Sequence, residues 1–306
     1  MTFLRKYSKY KGVARTALLL IGLLFILILA RESWGEFSTL IGQVKLGQFS
    51  LSVMLSVFGN VAIAILFNRL LGKYGVKIPD LLAVKMHMVG QIAKYIPGKI
   101  WAVAYQVSYV AGISGARGVV LANLEMTLSA MFMTSIIAFV LLLFSVNKVI
   151  ALIVFLLGMI GFLLLYKTNV VNRSIKFLPR KFRSIEVLAE AEGAPTNFMD
   201  GVVFYLIFCF VYVFSYVLML DAVFGFAFEE SIIYIALLSA AWLAGVLAFI
   251  VPAGMGVREV FFVSVSSYVV PQHSIEILVS IAVLARFWQI IQELVGVSLL
   301  VFMRGK

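Results

Sequence analysis

Residues 149–166 read VIALIVFLLGMIGFLLLY, an apolar run with no charged side chain and no alternation of polar and apolar positions. A helix needs roughly 20 such residues to cross the hydrocarbon of a bilayer. Comparable runs occupy 13–31, 49–71, 118–145, 200–220 and 274–302, so six full spans are expected. In hydrocarbon every backbone polar group must find an internal partner, which leaves helices or a closed barrel, and unalternated runs do not fit barrel strands. With 63% hydrophobic and 13% charged residues, the chain also lacks the polar surface of a water-soluble globule. The expected class is therefore an all-α polytopic membrane protein, a single domain over 1–306.

The formal net charge of +11 could indicate nucleic acid, but the Lys and Arg residues sit in short segments beside apolar spans. The rule that positive charge stays on the cytoplasmic side accounts for them, and no nucleic-acid partner is expected. Arg5, Lys6, Lys9, Lys11 and Arg15 precede the apolar stretch 16–30 in the manner of a signal peptide. No small-x-small cleavage pattern follows at Arg31-Glu32-Ser33-Trp34, so an uncleaved anchor with a cytoplasmic amino terminus is expected. Cys209 is the only cysteine, which excludes an intrachain disulfide. His87 and His273 are far apart with no ligand-spaced neighbours, so neither a metal nor another cofactor is expected.

Two further apolar regions, 81–112 and 231–270, are interrupted by Pro97-Gly98 and by Pro252-Ala253-Gly254-Met255-Gly256. Proline removes a backbone donor and glycine permits a sharp turn, so each interruption should break its helix. Broken helices at membrane depth are tolerated inside protein or beside a water-filled cavity. Around each break the order is the same, a full span, a helix, an elbow, a second helix and a full span, which suggests a weak repeat of 49–145 in 200–302. If both regions are re-entrant hairpins, the amino terminus, 72–80, 113–117, 167–199 and the tail fall on the cytoplasmic side. Segments 32–48, 146–148 and 221–230 then fall outside. Asp221, Glu229 and Glu230 lie in the last of these without Lys or Arg, whereas 167–199 carries Lys167, Arg173, Lys176, Arg180, Lys181 and Arg183, as the charge rule demands. The two hairpins are then opposed, and inverted repeats with broken helices at the midplane are a transporter pattern. The alternative is eight or more full spans, with 231–250 and 257–270 crossing independently. The basic 167–199 loop is either an amphipathic surface helix or a solvated connector.

Ionisable side chains inside a membrane are costly and need a partner or a task. Gln91, Lys94, Lys99 and Gln106 flank the first elbow, Arg258 and Glu259 the second, while Asn123, Glu125, Arg286, Gln289 and Glu293 lie on the spans that follow. Arg286, Gln289 and Glu293 share one helical stripe. It is either a structural ion pair, Arg286 with Glu125 or Glu259, or a polar track for a lipid headgroup. Lys94, Lys99 and Arg258 beside elbow glycines suit an anion, with phosphate the natural candidate. Their other reading is snorkelling for the lysines and self-neutralisation of Arg258 by Glu259. No activated nucleophile, phosphate loop or dinucleotide fingerprint appears, so no catalytic residue is assigned.

The strings GQIAKYIPGKIWAVAYQ from Gly90 and FIVPAGMGVREVFF from Phe249, with LARFWQIIQE from Leu284, resemble the transmembrane-region family of lysylphosphatidylglycerol synthases. That family includes stand-alone flippase-like proteins and the amino-terminal part of the multiple peptide resistance factor. Ala253 and Met255 depart from it, standing where the family commonly has Gly and Leu. The resemblance implies movement of a polar-headed lipid across the cytoplasmic membrane, with Pro97, Gly98, Pro252, Gly254, Gly256, Arg258 and Glu259 as elbow residues. It does not imply synthesis, which belongs to a soluble carboxy-terminal domain that is not expected here, since Lys306 follows the last apolar run by four residues. A phospholipid and a polyprenyl-phosphate-linked sugar are both reasonable cargoes. The alternatives are an intramembrane enzyme using Glu125 and Glu259, or a scaffold for glycosyltransferases of surface-polysaccharide assembly.

Overall fold

The computed structural model describes residues 44–93, 101–110, 112–167, 197–248, 254 and 256–302. Among them the chain is wholly helical. In order the helices are α1 (Leu46–Lys73), α2 (Asp80–Ala93), α3 (Trp101–Val107), α4 (Gly112–Val146), α5 (Lys148–Lys167), α6 (Phe198–Phe224), α7 (Phe228–Leu247), α8 (Val257–Val269) and α9 (Ile275–Phe302). Six of these, α1, α4, α5, α6, α7 and α9, are long and apolar enough to cross a membrane. The protein is thus an all-α polytopic membrane protein.

Five of the six long helices match expected spans. The sixth does not: α7, at 20 residues, falls in a region expected to be a hairpin limb, and its length and composition suffice for crossing. The expected span 13–31 and most of the 167–199 loop lie outside the described residues.

Helix ends follow local chemistry. The Asn147 side-chain oxygen accepts from the amides of Val149 and Ile150 at 3.0 and 3.1 Å, so α5 starts directly after α4 ends. Asn197 caps α6 through the Met199 amide, and Gly225, with φ +68°, closes its other end by donating to the Asp221 carbonyl. Leu51, Phe58, Phe139, Leu152, Leu164 and Phe210 are exposed on the outer helices, a surface only lipid solvates well. In their most apolar stretch α7 and α9 are 56% and 61% buried, against 28–33% for the other four, so these two helices form the centre.

Contacts along α1 and α6 orient the bundle. Lys45, just before α1, pairs with Asp221 at 2.9 Å, a Cβ on Gly59 would strike Val211, and Arg69 approaches Asp200 at 3.8 Å. The two helices therefore run antiparallel along their whole length. One end of the bundle carries Lys73, whose Nζ reaches the Tyr166 carbonyl at 3.3 Å. The other carries Glu230, paired with His273 at 2.8 Å. The α2–α3 pair starts at the Lys73 end, where Asp80 meets Asn68 at 2.6 Å, and returns there, since Gly118 near the start of α4 packs on Tyr74 and Val76. The α7–α8 pair starts and returns at the Glu230 end, because Glu230 opens α7 and His273 follows α8.

Candidate functional site

The chain reverses between α7 and α8 at Gly254 and Gly256, whose φ angles of +66° and +79° are strained for any residue with a side chain. A Cβ on Gly254 would lie 2.7 Å from the Gly245 Cα, and one on Gly245 would overlap the stem of Arg258. The two glycines let α7 and α8 touch and let Arg258 pass across α7. Its Nη1 donates to Gln289 Oε1 of α9 at 3.0 Å. Gln289 is the fifteenth residue of a 28-residue helix, so the elbow lies roughly 21 Å from the start of α9, at its middle.

Glu259 caps α8, with its Oε2 accepting from the Gly256 amide at 2.7 Å. Its carboxylate occupies the helix N-terminus, where an anion is stabilised by the helix dipole. Arg258, Glu259 and Arg286 line one small cavity between α7, α8 and α9, together with Leu238, Ala241, Phe262, Ala282 and Ala285. Its volume of about 20 Å³ suits about one water molecule and no lipid headgroup. Glu259 and Arg286 are only 4% and 5% exposed, so two charges sit in the protein interior at mid-bundle.

Of the residues expected at a site, Gly254, Gly256, Arg258, Glu259, Arg286 and Gln289 come together here. Glu293 is buried about one turn beyond Gln289 on α9. Lys94, Pro97, Gly98, Lys99 and Pro252 lie outside the described residues. Glu125 does not join the cluster. Its Oε1 is 2.7 Å from Lys73 Nζ and its Oε2 accepts from the Tyr74 hydroxyl at 2.5 Å. That corrects the expected pairing of Arg286 with Glu125, whose two oxygens are already held. Arg258 and Glu259 likewise do not neutralise each other, because adjacent helical positions diverge by about 100° and Arg258 turns to Gln289.

Sequence reasoning placed Lys73 in the segment 72–80 on the cytoplasmic side and assigned it no partner, yet its side chain is 2% exposed. Its partner is 52 positions away, and no local pattern joins them. Tyr74 lies just beyond α1, where burial and then the Glu125 carboxylate push its phenol well above the ordinary range, so it remains a donor. Near the first elbow Gln106 donates to the Met86 carbonyl at 3.3 Å and accepts from Asn123 at 2.7 Å, tying α3 to α2 and α4. Trp288, Asn60 and Gln292 were also missed. The Trp288 indole donates to Ser52 at 2.9 Å and Asn60 to Gln292 at 3.4 Å, which anchors α9 on α1. Among the described residues no cluster of three or more His, Cys, Asp or Glu could hold a metal ion. No family model, curated protein or solved structure matches the chain.

Proposed function

We propose that this protein moves an anionic, polar-headed lipid between the leaflets of the cytoplasmic membrane, the cargo being a phospholipid or a polyprenyl-phosphate-linked sugar. The observation that carries this reading is the burial of Glu259 and Arg286, with the half-buried Arg258 beside them, around a glycine elbow halfway along α9. Cations held beside a broken helix at that depth suit a headgroup phosphate, and a purely structural bundle gains little from them. In this reading α2–α3 and α7–α8 are opposed re-entrant hairpins of an inverted repeat, α1 and α6 being its equivalent antiparallel spans. Arg69, Lys77, Lys85, Arg117 and Lys167 at the Lys73 end, against Lys45 and Lys148 at the other, support a cytoplasmic Lys73 end, with Asp221, Glu229 and Glu230 on the outer side. Both termini are then cytoplasmic. The cavity is too small for a headgroup as it stands, so cargo enters when the α7–α8 hairpin separates from α9.

The resemblance to the lysylphosphatidylglycerol synthase membrane region supports the same reading. An intramembrane enzyme would need Glu125 and Glu259 to share a substrate, but each carboxylate has its own partners. Transport is tested in liposomes containing the full chain and a fluorescent phosphatidylglycerol, with dithionite quenching of the outer leaflet. The wild type should expose inner-leaflet label. Arg258→Ala with Arg286→Ala should slow this at least about tenfold, the equivalent of 1.4 kcal/mol of headgroup interaction. Unchanged movement in the double variant would remove the assigned site.

A further inference from the structure

Between the cavity and the Glu230 end, the seam of α7 and α8 holds polar groups that headgroup binding does not use. Ser231 and Tyr234 lie on the α7 stripe that continues to Leu238 and Ala241 at the cavity, and Ser266 lies two turns beyond Glu259 on α8. All three are fully enclosed, and their hydroxyls have no hydrogen-bond partner among the described residues. The Tyr234 ring stands between Phe262 at the cavity, 6.4 Å away, and His273 at the mouth, 5.9 Å away. At the mouth His273 Nε2 meets Glu230 Oε1 at 2.8 Å, and both side chains remain partly open to solvent. Buried hydroxyls without partners are rare, and several in one seam are a place for ordered water.

We propose that this seam is a proton path from the Glu230–His273 pair to Glu259, and that proton binding at Glu259 is coupled to binding of the anionic cargo. This rests on the transport reading. As a carboxylate Glu259 occupies the Gly256 amide and places a negative charge in the cavity that Arg258 and Arg286 also line. A proton arriving from the mouth turns it into a neutral acid, frees the amide as a donor and removes the negative charge that would repel the phosphate. The proton leaves to the other side after the cargo has crossed, so one proton travels with one anion. The charged groups facing Glu259 are Arg258 on its own helix and Arg286 on α9, with no titratable side chain among its α7 neighbours Leu238 and Ala241; Tyr212 and Tyr216 of α6 lie within electrostatic reach of Arg258. Those facing His273 are Glu230 and Tyr234 of α7, and Glu276 follows it in the chain.

The experiment uses liposomes with the full-length protein, fluorescent phosphatidylglycerol, internal pyranine, and valinomycin with equal potassium to hold the potential at zero. With one proton per lipid, a pH difference of one unit should change the leaflet ratio of label by about tenfold, whichever way the protein is inserted. His273→Gln and Ser266→Ala should slow label movement and the pyranine signal together, since cargo binding waits on the proton at Glu259. Tyr234→Phe, which deletes only a hydroxyl, serves where either fails to accumulate. A leaflet ratio indifferent to the gradient, or variants that couple like the wild type, would overturn the path and leave the transport reading standing. If the label does not move at all, phosphatidylglycerol transport fails instead. The same liposomes with a fluorescent polyprenyl phosphate then decide the path: a pyranine signal that accompanies this label and falls in Ser266→Ala supports it, and label movement without a pyranine signal overturns it.

Discussion

Lys73 and Glu125 form a buried ion pair, and its value lies in what removing one partner does. The ammonium and carboxylate are 2% and 6% exposed, with Tyr74 and the Tyr166 carbonyl completing the shell. Glu125→Ala leaves a buried, uncompensated lysine and should cost about 3–5 kcal/mol, whereas Lys73→Met with Glu125→Leu should recover most of the loss. Unfolding in detergent micelles measures both, and equal losses in the single and double variants would deny the pair its structural role. That a lysine at the end of a span would be buried was not readable locally, since charge placement by the positive-inside rule treats it as a loop residue. Arg258 and Glu259 were identifiable, because a charged pair beside Gly-x-Gly in an apolar stretch needs a reason. The turn of Arg258 toward Gln289, 31 positions away, was not.

Elements were legible where one local signal dominates. Apolar length marked five long helices, and Gly254 with Gly256 marked the reversal between α7 and α8. The α4–α5 break depends on a single cap, so Asn147→Ala should cost roughly 1 kcal/mol without changing the membrane crossings, as a thermal unfolding series would record. The α7–α8 contact depends on the absence of a side chain. Gly245→Ala would push against the Arg258 stem, and overpacking of this kind costs about 1–3 kcal/mol. It should also displace Arg258 from Gln289 and so weaken transport more than an alanine at the open position Gly72, where a Cβ meets nothing within 4 Å. Equal activity of the two variants would mean that the elbow contact has no bearing on the site. The hairpin reading of 231–270 was harder to reach from composition, because α7 alone is long enough to cross.

At the scale of the molecule, the α2–α3 and α7–α8 pairs start from opposite ends of the bundle and α9 contacts both, meeting Arg258 at Gln289 and Met88 of α2 at Gly296. The depth of the second elbow is open to direct test. Cys209 is 5% exposed and gives little background, so Ala248→Cys can be compared with Lys77→Cys using a membrane-impermeant maleimide applied from the cytoplasmic side. An elbow halfway along α9 should protect residue 248 while residue 77 reacts; equal labelling would mean that α7 crosses the membrane fully. By itself, the sequence determined the helical membrane class, the reversal at Gly254 and Gly256 and the charged residues beside it, because bilayer length, glycine chemistry and charge in hydrocarbon all act locally. Only the tertiary structure decided which charges meet. Glu125 is held by Lys73 and Arg258 by Gln289, while Arg286 and Glu259 share a cavity. These choices depend on distances between helices far apart in the chain, and no spacing within one helix encodes them.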